Sequence, residues 1–322
     1  VIRLIACSGV GASRSRPASL PGTDAAWGES WYHDFAASDG TYGGWLRLGL
    51  YPNLGVAWYW VAIVRPGAPL VLVSDTTAPC PERSAPLDVT TDRWSTRWEC
   101  TEPLLSWRIR GQGVARTYAD PASVFDRGHH GDGDVEIVYD LEWRGASVVF
   151  PYSTTTRYEQ PAWVQGEVAV AGERIDVYCP GQRDHSWGNP VWSHPWLWCA
   201  GHLPTNRWFH GVRTLVGGGS SFQTGYVAEP DRDLDVVDSV EVAYELDADD
   251  LPVRGELEIG RLRTQIVPEL HAPVLIASPD GATSRFARSL CRFDAADGTV
   301  GRGWVELNLP VGAQPVTDTR AG

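Results

Sequence analysis

The chain of 322 residues contains no lysine and no methionine, so all 27 of its positively charged side chains are arginines. Against 40 acidic residues they leave a formal net charge of -13. Such a surface repels phosphate backbones and anionic lipid, and no nucleic-acid or membrane-surface partner is expected. Long apolar runs are also missing: none approaches the roughly 20 residues that cross a bilayer as a helix, so membrane insertion is not expected. The six cysteines, at 7, 80, 100, 179, 199 and 291, form no CxxC and no Cys/His spacing. Structural zinc is therefore not expected, and the cysteines read as buried thiols of a reducing, cytoplasmic protein. Leu4-Ile5-Ala6-Cys7 has the form of a lipoprotein signal end, but too little precedes it to supply a charged start and an apolar stretch. No GxGxxG opens a helix, and Gly217-Gly218-Gly219-Ser220 joins two strands rather than cradling a phosphate. His129 to Asp134, a loop with two His and two Asp, lacks a distant further ligand. Neither a cofactor nor a metal is expected.

What is present is a core. The hydrophobic fraction is 43%, aromatics make up 11%, and 16 residues are tryptophan. That composition folds, and at this length two domains are the default. Residues 1–24 read as a flexible N-terminal arm. Beyond it run short stretches rich in Val, Ile, Tyr and Trp, among them 45–50, 56–64, 70–73, 135–143, 166–170, 173–178, 196–203 and 208–216. Turn residues such as Pro52-Asn53-Leu54-Gly55 and Arg65-Pro66-Gly67 separate them. No long window holds a helical period, so the expected fold is all-β and antiparallel. Two β domains are expected, over 25–160 and 161–316, and their similar length and texture suggest a duplicated barrel, one way of removing exposed strand edges.

Two segments concentrate polar and aromatic residues. In Glu29-Ser30-Trp31-Tyr32-His33-Asp34-Phe35, an extended chain puts Glu29, Trp31, His33 and Phe35 on one face and Ser30, Tyr32 and Asp34 on the other. Either face, once buried, takes a titratable group with it, and burial raises a carboxyl pKa unless a partner ionises it. The second segment, Gly181-Gln182-Arg183-Asp184-His185-Ser186-Trp187-Gly188, reads as a rigid bend bounded by glycines, presenting Asp184 and His185 beside an indole. These are ingredients for proton transfer next to a developing cation. They could equally form an ionic network that ties a loop to a barrel.

The pair of motifs, Glu-x-Trp-Tyr at 29–32 and Arg-Asp-His-Ser-Trp-Gly at 183–188, resembles the tandem lipocalin-like proteins related to carotenoid 1,2-hydratase, and their uncharacterised actinobacterial branch in particular. Gly43 to Asn53 and Gly301 to Glu306 are also similar to that branch, so the resemblance spans 27–309. The chain departs from it after Gly188, where Asn189-Pro190-Val191-Trp192-Ser193-His194-Pro195 stands. The resemblance implies two lipocalin-like antiparallel β-barrel or sandwich domains with a hydrophobic pocket near their junction. It also matches Asp184 and His185 to the superfamily's Asp-His pair, and Glu29, Trp31 and Tyr32 to its first motif.

Hydration of an alkene gives these residues a purpose. Protonating the double bond needs an acid that stays neutral until used, and an Asp desolvated among Trp rings can be lifted into that role. Asp184 is the candidate acid, with His185 to orient it or activate water and Glu29 beside them. Trp31, Tyr32, Trp58, Trp60 and Trp187 are candidates for binding the substrate and stabilising a carbocation. His202 and His210 are candidate second bases. The expected function is a cofactor-independent hydratase/dehydratase, or an isomerase or cyclase, acting on a terpenoid or similar hydrophobic alkene. A pericyclase-type shape catalyst and a non-catalytic carrier are the alternatives. The sequence sets no oligomeric state.

Overall fold

The computed structural model describes residues 21–82, 86–216, 220–229, 233–278, 281–313 and 316. Residues 1–20 of the expected arm, with Cys7, and the Gly217-Gly218-Gly219 link lie outside the described residues. The first sheet holds β1 (Gly28–Ala36), β2 (Gly43–Tyr51), β3 (Val56–Val64), β4 (Leu70–Pro79), β5 (Leu87–Thr90), β6 (Trp94–Glu102), β7 (Ser106–Tyr118), β8 (Gly133–Gly145), β9 (Phe150–Pro151), β10 (Arg157–Val170) and β11 (Glu173–Gly188). The second holds β12 (Trp196–Leu203), β13 (Arg207–Val216), β14 (Ser220–Ala228), β15 (Asp235–Val237), β16 (Val240–Leu246), β17 (Pro252–Ile259), β18 (Leu262–His271), β19 (Val274–Ala277), β20 (Thr283–Ala295) and β21 (Val300–Pro310). The only helix among the described residues is a 3-10 turn over Pro121–Phe125, so none is long and apolar enough to cross a membrane.

In the first sheet the order β4-β3-β2-β1-β11-β10-β8-β7 closes into a ring, because Leu70 and Leu72 of β4 pair with Tyr118 and Arg116 of β7. The second sheet runs β15-β14-β13-β12-β21-β20-β18-β17-β16 and curls until β13 and β14 pack on β16 and β17. This is the expected architecture of two tandem lipocalin-like β domains. The sheets change between Gly188 and Trp196, and the 160/161 division expected from sequence texture falls inside β10.

Two adjacent cores form from the two faces of β1, β2 and β3. Trp31, Phe35, Leu46, Leu48, Tyr59 and Val61 point into the first barrel. Their neighbours Tyr32, Ala36, Trp45, Trp58, Trp60 and Ala62 point outward and are buried against the second domain. Strands buried on both faces read as near-continuous apolar runs, as these do. A third core fills the second domain around Leu197, Phe209, Phe293 and Leu307. Cys179, Cys199 and Cys291 are buried thiols in these cores.

The segment expected as a bend at Gly181 to Gly188 is instead the last half of β11. Its glycines have another cause. A Cβ on Gly181 would lie 2.1 Å from the Asp34 carbonyl oxygen, so close strand approach demands the glycine there, while Gly188 has φ 121° where the strand ends. Pro180 is tolerated because the β1 ladder on that side begins only at the His33–Arg183 pair.

Candidate active site

Because β11 is extended, consecutive residues face opposite ways. In the β1–β11 ladder Tyr32 pairs with Asp184 and Trp31 with His185. Asp184 therefore shares the outward face with Tyr32, Gln182 and Ser186. His185 turns into the first barrel, where its Nε2 lies 2.8 Å from Glu29 Oε1 and its ring stacks on Trp31 at 5.0 Å. The two halves of the Asp-His motif are thus separated by the sheet, and His185 does not orient the Asp184 carboxyl.

The outward face of β1, β2 and β11 meets β12, β13, β20 and β21 around a cavity of about 500 Å3. Its walls include Tyr32, Tyr51, Trp187, Trp192, Trp196 and Trp198. The departing segment after Gly188 forms one of these walls through Trp192 and His194. A cavity of this size fits a small organic molecule, and its lining combines aromatic rings with charged and hydroxyl side chains, among them Arg47, Arg157, Asp184, Arg288 and Glu306.

Asp184 sits on the first domain's side of this cavity. Arg157 Nη2 donates to its Oδ2 at 2.7 Å, and Arg157 Nε donates to Glu159 Oε1 at the same distance. The other Asp184 oxygen has no hydrogen bond among the described residues, and Asp184 lines the cavity. Burial pushes the Asp184 carboxyl up to about 7, Arg157 opposes this, and the charge on Glu159 adds to it. Arg157 only partly offsets the burial because its guanidinium is shared with Glu159 and its side chain is 28% exposed. Burial acts on Glu159 too, but Arg157, with hydrogen bonds from Trp198 Nε1 and Gln182 Nε2, holds it below the usual carboxylate range. Near neutral pH the site therefore pairs an ionised Glu159 with an Asp184 poised between its two states.

A second carboxyl, Asp34, is also lifted to about 7 by burial, against the donors Tyr32 Oη and the Gln182 amide. Both of its oxygens are engaged in those bonds, and it does not line the cavity. His210 lies behind the wall. Its Nδ1 faces the Cys199 carbonyl at 2.9 Å and must donate there, which leaves Nε2 to accept from Tyr152 Oη at 2.8 Å. Burial lowers His210 to about 4, so it is neutral.

Of the other residues singled out in the sequence, Tyr32, Trp187 and Glu29 border the cavity. Trp58 backs onto Trp192 at 5.8 Å, and Trp60 lies beneath the Arg47 guanidinium at 4.9 Å. Trp31 is enclosed in the first barrel. His202 lies away from the cavity, its ring 4.4 Å from Trp208 and 5.5 Å from Trp163. Sequence reasoning missed Arg47, Arg157, Glu159, Arg288 and Glu306. Arg288 stacks over Tyr32 at 4.1 Å and pairs with Glu306, which also accepts from Trp196 Nε1 at 2.7 Å. The available signal was strand parity: Arg157 and Glu159 share a face of β10 that register places beside Asp184.

Fold and cavity define the class: a tandem lipocalin-like protein with a small-molecule-sized site at its domain junction. The chain belongs to the family described as Domain of unknown function (DUF7064), whose model matches residues 17–311. No curated protein matches the sequence. Among solved structures, kievitone hydratase from Nectria haematococca is similar at TM-score 0.62 and 14% identity, covering 93% of this chain and 92% of that one. A protein described as AttH from Nitrosomonas europaea is similar at TM-score 0.61 and 15% identity, covering 89% and 94%. CghA is similar at TM-score 0.55 and 12% identity, covering 93% and 95%. At these identities the likeness is one of fold.

Proposed function

We propose that the protein is a cofactor-independent acid-type catalyst, a hydratase/dehydratase or a related isomerase or cyclase, acting on an alkene of a terpenoid or similar hydrophobic small molecule. One observation carries this reading: the Asp184 carboxyl, lifted to about 7, lines the cavity with one oxygen held by Arg157 and the other without a hydrogen bond among the described residues. Asp184 gives its proton to one alkene carbon, forming a C–H bond and leaving a carbocation on the neighbouring carbon. The faces of Trp187, Trp192 and Trp196 stabilise that charge. Water then adds and returns a proton to Asp184, which completes hydration. Loss of a neighbouring proton or attack by a second alkene gives isomerisation or cyclisation instead. Arg157 steadies the Asp184 carboxylate between proton loss and return, while Glu29 and His185 position β11 from the far side of the sheet.

The fold shared with a protein named kievitone hydratase supports the hydratase side of this reading. The test is incubation in D2O with kievitone and with farnesol, following added water or deuterium by mass spectrometry, for wild type and Asp184→Asn. Turnover should fall by about 10²–10⁴-fold in the variant, the usual contribution of a general acid, while ligand binding persists. Turnover that survives the substitution would favour a shape-based catalyst, and binding without turnover in wild type a carrier.

A further inference from the structure

The arginines around the cavity are not evenly matched. Arg157 is paired with Glu159 and Asp184, and Arg288 with Glu306. Arg47, on β2, has no carboxylate within ion-pair distance among the described residues. Its Nη2 donates to Tyr51 Oη at 3.3 Å, and its Nη1 is buried with no partner. The guanidinium lies over aromatic rings, its Cζ 4.9 Å from the Trp60 centroid and 5.5 Å from that of Trp192. Room for it comes from Gly49, two positions along the same face, where a Cβ would lie 2.7 Å from Nη1. Such an arginine is pre-organised, charged and lacks a counter-ion, and it lines the wall of the cavity.

Register places this charge relative to the proposed acid. Arg47 pairs with Tyr32, and Tyr32 with Asp184, so the three lie in a row across β2, β1 and β11. Two strand spacings, roughly 10 Å, separate the ends of that row. When Asp184 holds its proton, Arg157 still faces Glu159 and Arg288 still faces Glu306, whereas Arg47 has no carboxylate within ion-pair distance among the described residues.

We propose that Arg47 docks an anionic oxygen group of the ligand, a carboxylate or an equally charged enolate, so that the substrate class is an amphipathic acid rather than a neutral hydrocarbon or alcohol. This rests on the reading of the cavity as a site for a hydrophobic small molecule. The acid head lies against Arg47 beside Trp192, and the apolar body runs along the indole wall toward Asp184. A bound anion also offsets the Arg47 charge, one of those that draw the Asp184 carboxyl down, and so favours its protonated form for the reaction.

The test compares farnesoic acid with its primary amide, a neutral near-isostere, by isothermal titration calorimetry on the full chain at pH 7.5. Wild type should bind the acid at least about tenfold more tightly, the low end for a charge-assisted hydrogen bond. Arg47→Gln should lose that preference by weakening the acid and leaving the amide unchanged, whereas Arg47→Lys should keep part of it. Equal binding of acid and amide by wild type, or an intact preference in Arg47→Gln, would overturn the assignment while leaving the hydrophobic cavity in place. If neither compound binds wild type, the small-molecule reading of the cavity fails and takes this proposal with it.

Discussion

On the inner face of β1 and β11, Glu29, His33, Arg183 and His185 sit among the rings of Trp31, Trp98, Trp107 and Trp143. On the outer face of the same two strands, Tyr32, Asp34, Gln182 and Asp184 meet the second domain. Both faces bury titratable groups, but the outer one contributes most of the cavity lining, joined at the strand ends by Glu29 and Trp187 of the inner face. Inside, Arg183 Nε donates to Gln160 Oε1 at 2.8 Å, and His33 is wedged between Trp98 and Trp143 at 5.2 and 5.1 Å. Burial drives His33 well below its ordinary value, with Arg183 and His185 adding to the effect. Arg183 and the Glu29–His185 pair thus join neighbouring strands, while both ring nitrogens of His33 are buried without a hydrogen bond among the described residues. The outer face sets Asp184 in the cavity lining with one oxygen free of hydrogen bonds among the described residues, and that placement distinguishes it from its neighbours Arg183 and His185, which do not line the cavity.

The comparison can be broken most severely on the inner face. Glu29→Ala leaves His185 without its 2.8 Å partner in a closed interior, and should cost about 3 kcal/mol or more of stability. Chemical denaturation should show a lowered midpoint, while the surviving folded protein still binds an acid ligand. If Glu29→Ala left stability intact and removed binding, the division between a structural and a chemical face would be wrong.

A smaller effect separates the faces by pH. Asp184 and Asp34 are each lifted to about 7 in the fold, against roughly 3.9 in an unfolded chain. Folding takes up protons between those values, so both carboxyls weaken the fold as pH rises from about 4 through 7. His210, lowered to about 4, and His33 act in the opposite sense. The unfolded chain protonates them below about 6.5, so their contribution is present above that pH and is lost on acidification. Between pH 4 and 6.5 the two pairs offset each other. Asp184→Asn removes one carboxyl from this balance, and relative to wild type it should gain on the order of 1–3 kcal/mol between pH 5 and pH 8. Urea midpoints at the two pH values measure the change. A difference that does not vary with pH would mean that Asp184 titrates as an ordinary carboxyl.

The sequence made the all-β tandem architecture legible because strands such as 56–64 and 196–203 announce themselves by composition. It also made the division of β1 legible, since Glu29, Trp31, His33 and Phe35 fall on one face by alternation alone. β6, β7 and β20 were harder: Arg and Glu occupy their solvent-side positions, and Gly111 and Gly113 interrupt β7. The site suffered from reading Asp184 and His185 as one unit. Adjacent residues cooperate on a bend but are parted on a strand, and the glycines that suggested a bend serve close packing at Gly181. Arg47, Arg157, Arg288 and Glu306 reach the cavity through ladder register across strands distant in the chain, which no local pattern encodes.

The central claim is that Asp184 holds a proton near neutral pH within the junction cavity. Carbon-13 NMR of the chain labelled at the aspartate side-chain carboxyl, with Asp184→Asn to assign the resonance, measures this directly. The account predicts that the Asp184 signal titrates with an apparent pKa of about 7. A midpoint at or below about 4, the ordinary aspartate range, would contradict it.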